Sequence, residues 1–289
     1  MGVDIIRLTE ACRVIVSGQG PVLSNIGLVV GDAEAVVIDP GFFPSDGDQV
    51  MNPIHLWIDR PIAYMVYTHF YPNHLLGSQF FENPQVISHQ KCMEVLERDL
   101  KTRPPGKEIA RWLEANPRIG ARWGEAEIRL PYVSFEDELI LDLTGATLDL
   151  MYLGGGDTDG SIIAWYSPDM IAYVGDLLFS KGHPYMVDAD ILAWIDALER
   201  VKLLEPFVVV PGHGETLSAK GLDKTLDYLT SLRDQVSSLL DRGAEADEIV
   251  SRVDLSGFGF PEPRSPQVFR LGILKAIATL LKRRSSSPK

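Results

Sequence analysis

Apolar positions cluster along the chain in short runs broken by turn residues, beginning with residues 12–17, 26–30 and 35–38. Runs this short and rich in Val and Ile predict strands, since a helix needs a longer stretch to bury one face. The third run stops at Asp39-Pro40-Gly41, which reads as a loop at a sheet end. A helix is expected near 47–58 and a strand over 63–67, which runs into the polar turn Thr68-His69-Phe70-Tyr71-Pro72-Asn73-His74. A strand that hands polar residues to a loop is a usual place for chemistry, because the rigid sheet aims groups that a packed core could not satisfy.

Residues 90–116 read as helical, with Pro104-Pro105-Gly106 interrupting them as a candidate flap. Strands are then predicted over 138–143, 147–152, 161–166 and 170–174, the last ending at Gly175-Asp176. A helix from about 189 to 204, with Asp188 as its N-cap, precedes a strand over 207–210 and the turn Pro211-Gly212-His213-Gly214. Two more helices follow: 220–242, ending at Gly243, and 266–282, with Ser265 in cap position and Pro266 in its first turn. Helices covering sheets make this an α/β chain. The expected organisation is a core over 1–217 with a helical insertion at about 90–125, a helical extension over 218–283 packed on it, and a disordered tail at 284–289.

The hydrophobic share of 45% over 289 residues is ample for a large buried core. A formal charge of −13 argues against nucleic acid as a partner, since phosphate binding needs a basic face, and the only basic run, Lys282 to Arg284, leads into serines. No run of about 20 apolar residues is present to span a membrane. The N-terminal residues lack a charged segment followed by an apolar one, so the expected compartment is the cytoplasm. Cys12 and Cys92 are too few and too far apart for a disulfide framework and read as small buried side chains. The apolar face of the last helix, with Phe269, Leu271, Ile273, Leu274, Ile277 and Leu280, would cover the core or a second copy in a homodimer.

Five polar turns follow strands: Asp39, the cluster from His69 to His74, Asp157, Asp176 and His213. Imidazole and carboxylate groups arriving from separate strand ends can converge on one cation, for they are the ligands that zinc, iron and manganese take in hydrolytic sites. The order of these turns resembles the metallo-β-lactamase superfamily, over most of residues 20–217. Val36-Val37-Ile38-Asp39-Pro40-Gly41 looks like its first motif, and Thr68 to His74 like its THxHxDH signature. Gly156-Asp157-Thr158-Asp159-Gly160-Ser161 is similar to its GHTxGS turn, and the runs 174–179 and 210–214 to its fourth and fifth motifs. The resemblance implies a four-layer αββα sandwich of α/β (α+β) class, with extra C-terminal helices.

Carried over residue by residue, the resemblance implies His69 at a first metal position, His74 and His213 at a second, and Asp176 bridging them. Tyr71 stands where the family has a second histidine, Asn73 where it has aspartate, and Asp157 where it has the third-motif histidine. Asn73 is neutral and cannot take a proton, whereas Asp157 keeps ligand capacity and makes the first position harder. Tyr71, with a reference pKa of about 10, is expected either to donate a hydrogen bond to substrate or to an oxyanion rather than to bind metal, or to serve as a packing aromatic in the space an imidazole would fill.

The expected metal ligands are therefore His69, His74, Asp157, Asp176 and His213. Asp157, Tyr71 and Asn73 form the catalytic set, and Tyr71, Phe179, His183 and Tyr185 the substrate contacts. Zinc, as one or two ions, is the implied cofactor, with manganese or iron as replacements. The leading picture is mononuclear, at His74, His213 and Asp176. The reaction implied is metal-dependent hydrolysis of a small apolar or aromatic ester, thioester or lactone. The alternatives are a metal-poor ligand-binding protein and a non-hydrolytic enzyme using redox or acid/base chemistry.

Overall fold

The computed structural model describes residues 3–286 apart from 103, 180, 181 and 264. Its first half contains β1 (Ile6–Arg7), β2 (Cys12–Ile15), β3 (Ile26–Val30), β4 (Ala35–Ile38), α1 (Gly47–Trp57), β5 (Ile62–Val66), β6 (Gln85–His89), α2 (Gln90–Leu100), α3 (Lys107–Ala115), α4 (Pro117–Gly120) and β7 (Val133–Phe135). The second half contains β8 (Glu138–Asp142), β9 (Thr147–Tyr152), β10 (Ile162–Tyr166), β11 (Ile171–Gly175), α5 (Ile191–Leu203), β12 (Val208–Pro211), α6 (Gly221–Asp241), α7 (Ala246–Arg252) and α8 (Pro266–Ser286).

Among the described residues, strands β1 to β7 lie in sequence order in one sheet, antiparallel up to β4 and parallel from β4 to β7. The other sheet has the order β12-β11-β10-β9-β8, with β12 parallel to β11 and the rest antiparallel. Burial explains why these runs read as continuously apolar. In β4, Ala35 and Val37 face α1 and α2, while Val36 and Ile38 face the opposite sheet, so both faces need hydrophobic side chains. β10 divides in the same way: Ile162, Ala164 and Tyr166 lie between the sheets, while Ile163 and Trp165 turn to the outer helices.

The layers are therefore helix, sheet, sheet, helix, as the motif order implied. Helices α1, α2 and α3 cover the first sheet through Val50, Ile54, Leu96 and Trp112. Helices α5, α6 and α8 cover the second through Trp194, Leu198, Leu229, Leu232 and Ile277. The helical extension is thus the outer layer of the second sheet and shares one core with α5. Full burial of each such side chain is worth about 1.5–3 kcal/mol.

Two expectations need correction. The N-cap of α5 is Asp190, which accepts from the Leu192 and Ala193 amides and leaves Asp188 free for other partners. The last helix runs through Ser286 rather than fraying from 284, because Arg284 pairs with Asp241 and Ser237, and Ser285 and Ser286 bond back to the Lys282 carbonyl. The rest of the expected tail, 287–289, lies outside the described residues. Beside the candidate flap, buried Asp99 caps α3 by accepting from the Glu108 and Ile109 amides.

Candidate metal centre

All five polar turns meet at one end of the sandwich, and Asp39 organises the first of them. It ends β4 with a positive φ of 52°, a left-handed conformation that Asp tolerates better than most residues. Its buried carboxylate accepts the Thr68 amide at 2.8 Å, the Thr68 hydroxyl at 2.6 Å and His74 Nδ1 at 2.9 Å. Having donated to Asp39, the Thr68 hydroxyl can only accept from His69 Nδ1, 2.8 Å away. One carboxylate thereby fixes both imidazoles with their Nδ1 protonated and their Nε2 atoms turned inward.

The opposite wall comes from the ends of β11 and β12. Asp176 places one oxygen 3.3 Å from His74 Nε2 and 3.5 Å from His213 Nε2, and the other 3.7 Å from His69 Nε2. Asp157, delivered by the loop between β9 and β10, lies 3.9 Å from His69 Nε2. Two donor groups result, His69–Asp157–Asp176 and His74–Asp176–His213, sharing the Asp176 carboxylate. A cation with ligand bonds of about 2.0–2.2 Å holds its ligand atoms roughly 3–4 Å apart, so both groups have the size of a coordination shell. A side chain at Gly212 would collide with the Asp176 carboxylate, so glycine there keeps the bridge in place.

The donors are also chemically unmet. His69 Nε2, His74 Nε2, both oxygens of Asp157 and Asn73 Oδ1 are buried without a hydrogen-bond partner among the described residues. Leaving a buried polar atom unmade costs about 1–3 kcal/mol. Lone pairs converging from separate strand ends fit a divalent cation, which would satisfy them at once.

The electrostatics follow from burial in this cluster. Burial, with His74 adding to it, pulls the His69 imidazole down to about 3, keeping it neutral. For His74, burial also opposes charge, but Asp176 and Asp39 outweigh it and raise the group to about 10. Burial and then the neighbouring Asp176 charge push the Asp157 carboxyl up to about 8. Burial works against the Asp176 charge as well, yet His74 and His213 hold it well below the usual carboxylate range.

The remaining expected residues separate into two places. Tyr71 is buried beside His69, stacked on Trp112 and edge-on to Tyr185. Burial and the Asp188 charge push its phenol well above the ordinary value, and its hydroxyl donates to the Asp157 carbonyl at 3.3 Å and Asp188 at 3.4 Å. The phenol is thus committed to protein partners rather than to open space for an oxyanion. Arg111 of the insertion helix α3 holds the other Asp188 oxygen, which ties the insertion to the rim of the site. Asn73 sits 3.0 Å from His213 through its amide nitrogen. Phe179 and His183 lie apart, in the helical layer: Phe179 against Trp194, Tyr228 and Phe260, and His183 bonded to the Tyr228 hydroxyl and packed on Phe269.

Sequence reading missed Asn25, Arg111 and the bonding role of Asp188. Asn25 donates to the Pro211 and Gly214 carbonyls at 2.8 Å each and so pins the His213 turn to the first sheet. No local signal marks these residues, since their partners lie 77 to 189 positions away.

The fold and its motifs agree with the known proteins this chain resembles. A family model described as the metallo-beta-lactamase superfamily matches residues 19–213. A metallo-beta-lactamase type 2 of Bacteroides fragilis is 26% identical over 212 residues, covering 69% of this chain and 72% of that protein. A linear primary-alkylsulfatase of Pseudomonas sp. (strain ATCC 19151) is 21% identical over 257 residues, covering 76% of this chain but only 48% of its own length. Among solved structures, the metallo-beta-lactamase from Pontibacter korlensis matches with a TM-score of 0.61 at 19% identity, over 79% of this chain and 99% of that one. The structure of TMB-1 matches with a TM-score of 0.59 at 22% identity, over 80% and 98%. With the family model spanning both sheets and the ordered turns converging at one end of them, the chain belongs to the metallo-β-lactamase superfamily.

Proposed function

We propose that this protein is a metal-dependent hydrolase of a small ester, thioester or lactone with an apolar or aromatic body. The observation that carries the proposal is the set of buried, unpartnered donor atoms on His69, His74 and Asp157 facing the Asp176 carboxylate. His69, Asp157 and Asp176 would hold a cation on one side, and His74, Asp176 and His213 on the other. A divalent cation in such a site supplies Lewis-acid polarisation of a carbonyl and lowers the pKa of water toward about 7.

The chain's own residues do the rest. Asp157 brings two oxygens, so one would face a cation while the other would be free to take a proton from water. Asn73 cannot share that task, because an amide accepts no proton. Tyr71 steadies Asp157 from behind through the backbone carbonyl, and Asp188 and Arg111 hold Tyr71 in turn. Phe70, Tyr71 and Trp112 are buried packing behind the centre, and Tyr185, half-buried beside Tyr71, is the one of this aromatic group placed to meet an apolar substrate body.

The test is turnover of a panel of carboxylic esters, thioesters and lactones by chelator-stripped protein, before and after addition of zinc, manganese or iron(II). The relatives add a β-lactam and an alkyl sulfate to that panel. Hydrolysis that appears only on metal addition and disappears in Asp176→Ala is the expected result. A metal-replete protein inert to the whole panel would leave a ligand-binding or redox role for the same site.

A further inference from the structure

The two donor groups are not equally available, and the difference lies in Asn73. Its amide nitrogen is 3.0 Å from His213 Nε2, the atom that would face a cation in the His74–Asp176–His213 group. Either the amide donates to that nitrogen or its oxygen accepts from it. In either assignment Nε2 of His213 is engaged by Asn73, as a lone pair filled by the amide N–H or as an N–H spent on the amide oxygen. No such competitor reaches His69 Nε2 or either oxygen of Asp157.

We propose that Asn73 masks His213, so that the chain takes up its first metal ion at His69, Asp157 and Asp176 and binds a second only weakly. The inference rests on the metal-dependent reading above and refines it, because it moves the first ion from the two-histidine group expected from sequence to the group with one imidazole and two carboxylates. That donor set is harder, and it favours manganese(II) or iron(II) over zinc more than the other group does. An aspartate at 73 would remove the donor from His213 and add an anionic ligand, making the two groups comparable. A change of that kind in the surroundings of a ligand typically shifts metal affinity by about 10–100-fold.

The experiment is stoichiometric titration of chelator-stripped protein with manganese(II), read by the loss of the free-ion electron paramagnetic resonance signal. It compares the wild type with Asn73→Asp, His213→Ala and Asp157→Asn, each checked for a native circular dichroism spectrum and cooperative melting. The wild type is expected to take one equivalent tightly, His213→Ala to keep it, Asp157→Asn to lose it, and Asn73→Asp to gain a second equivalent at least tenfold tighter than any second site in the wild type. One equivalent lost in His213→Ala but kept in Asp157→Asn, or two equal equivalents in the wild type, would overturn the inference while leaving the metal-dependent reading intact. No tight manganese(II), zinc(II) or iron(II) in any folded variant would overturn both.

Discussion

Two buried polar regions lie side by side at the end of this sandwich, and they are built on opposite terms. Around Asn25, the side chain bonds to Pro211, Gly214 and the Ser17 amide, and Ser17 bonds the Gly214 amide, so donors and acceptors close on one another. A few ångströms inward, His69, His74 and Asp157 keep buried donor atoms with no partner. The first region is scaffold, complete within the protein. The second is complete only with something added, and the contrast marks it as the centre. Asp39 is the hinge between them, satisfied by Thr68 and His74 and spent on orienting the two imidazoles.

Breaking the hinge should have the largest effect. Asp39→Ala removes the acceptor of three buried donors and frees both tautomers, so it should cost about 3–5 kcal/mol in urea denaturation and abolish metal binding. A loss under about 1 kcal/mol would show that the Asp39 network is not what holds these loops. Breaking the satisfied region should cost less. Asn25→Ala leaves the Pro211 and Gly214 carbonyls without partners, with an expected loss of about 1–3 kcal/mol by the same measurement and a weaker hold on the His213 turn.

The unsatisfied region should respond to protons before it responds to anything else. In the metal-free protein, Asp157 near 8 and His74 near 10 both carry protons at neutral pH. The first metal ion must displace the Asp157 proton, so apparent affinity should climb from pH 6 to pH 8, with proton release visible in calorimetry across buffers of different ionisation enthalpy. A flat affinity would contradict the assignment of Asp157 as a ligand. The sign for stability of the metal-free form is distinct for each. His74, raised in the fold, contributes stability that is present below its unfolded pKa of about 6.5 and lost as pH rises through 10. His69, lowered to about 3, costs stability as pH falls from about 6.5 toward 3, because only the unfolded chain takes that proton.

The smallest effects sharpen the comparison. Tyr71→Phe removes two long hydrogen bonds and should cost no more than about 1 kcal/mol, leaving the manganese(II) stoichiometry unchanged. Asp157→Asn replaces a buried carboxyl that is already neutral in the metal-free protein, so it should leave that form as stable as the wild type, within about 1 kcal/mol, while metal uptake falls. A large loss of stability there would place Asp157 in the scaffold instead.

The sequence reveals much of this architecture because apolar runs such as 35–38 and 162–166 are buried on both faces and end in conspicuous polar turns. β6 and β7 are less legible, since Ser88, His89 and Ser134 interrupt their apolar pattern although Ser88 and His89 are buried. His69, His74, Asp157, Asp176 and His213 stand together as the order of turns implied. The wiring between them does not follow from that order: Asn73 meets His213 across 140 positions, and Tyr71 meets Asp188 across 117. Chain order also could not say which way the rim segment faces. His183 turns to Tyr228 in the helical layer, whereas Tyr185 and Asp188 turn to Tyr71.

The most direct test of the central claim is elemental analysis of the protein purified without chelator and desalted against metal-free buffer. About one equivalent of a divalent transition metal per chain is the predicted result. No metal, even after incubation with manganese, iron(II) or zinc, would contradict the account and leave the unpartnered atoms of His69, His74 and Asp157 without their explanation.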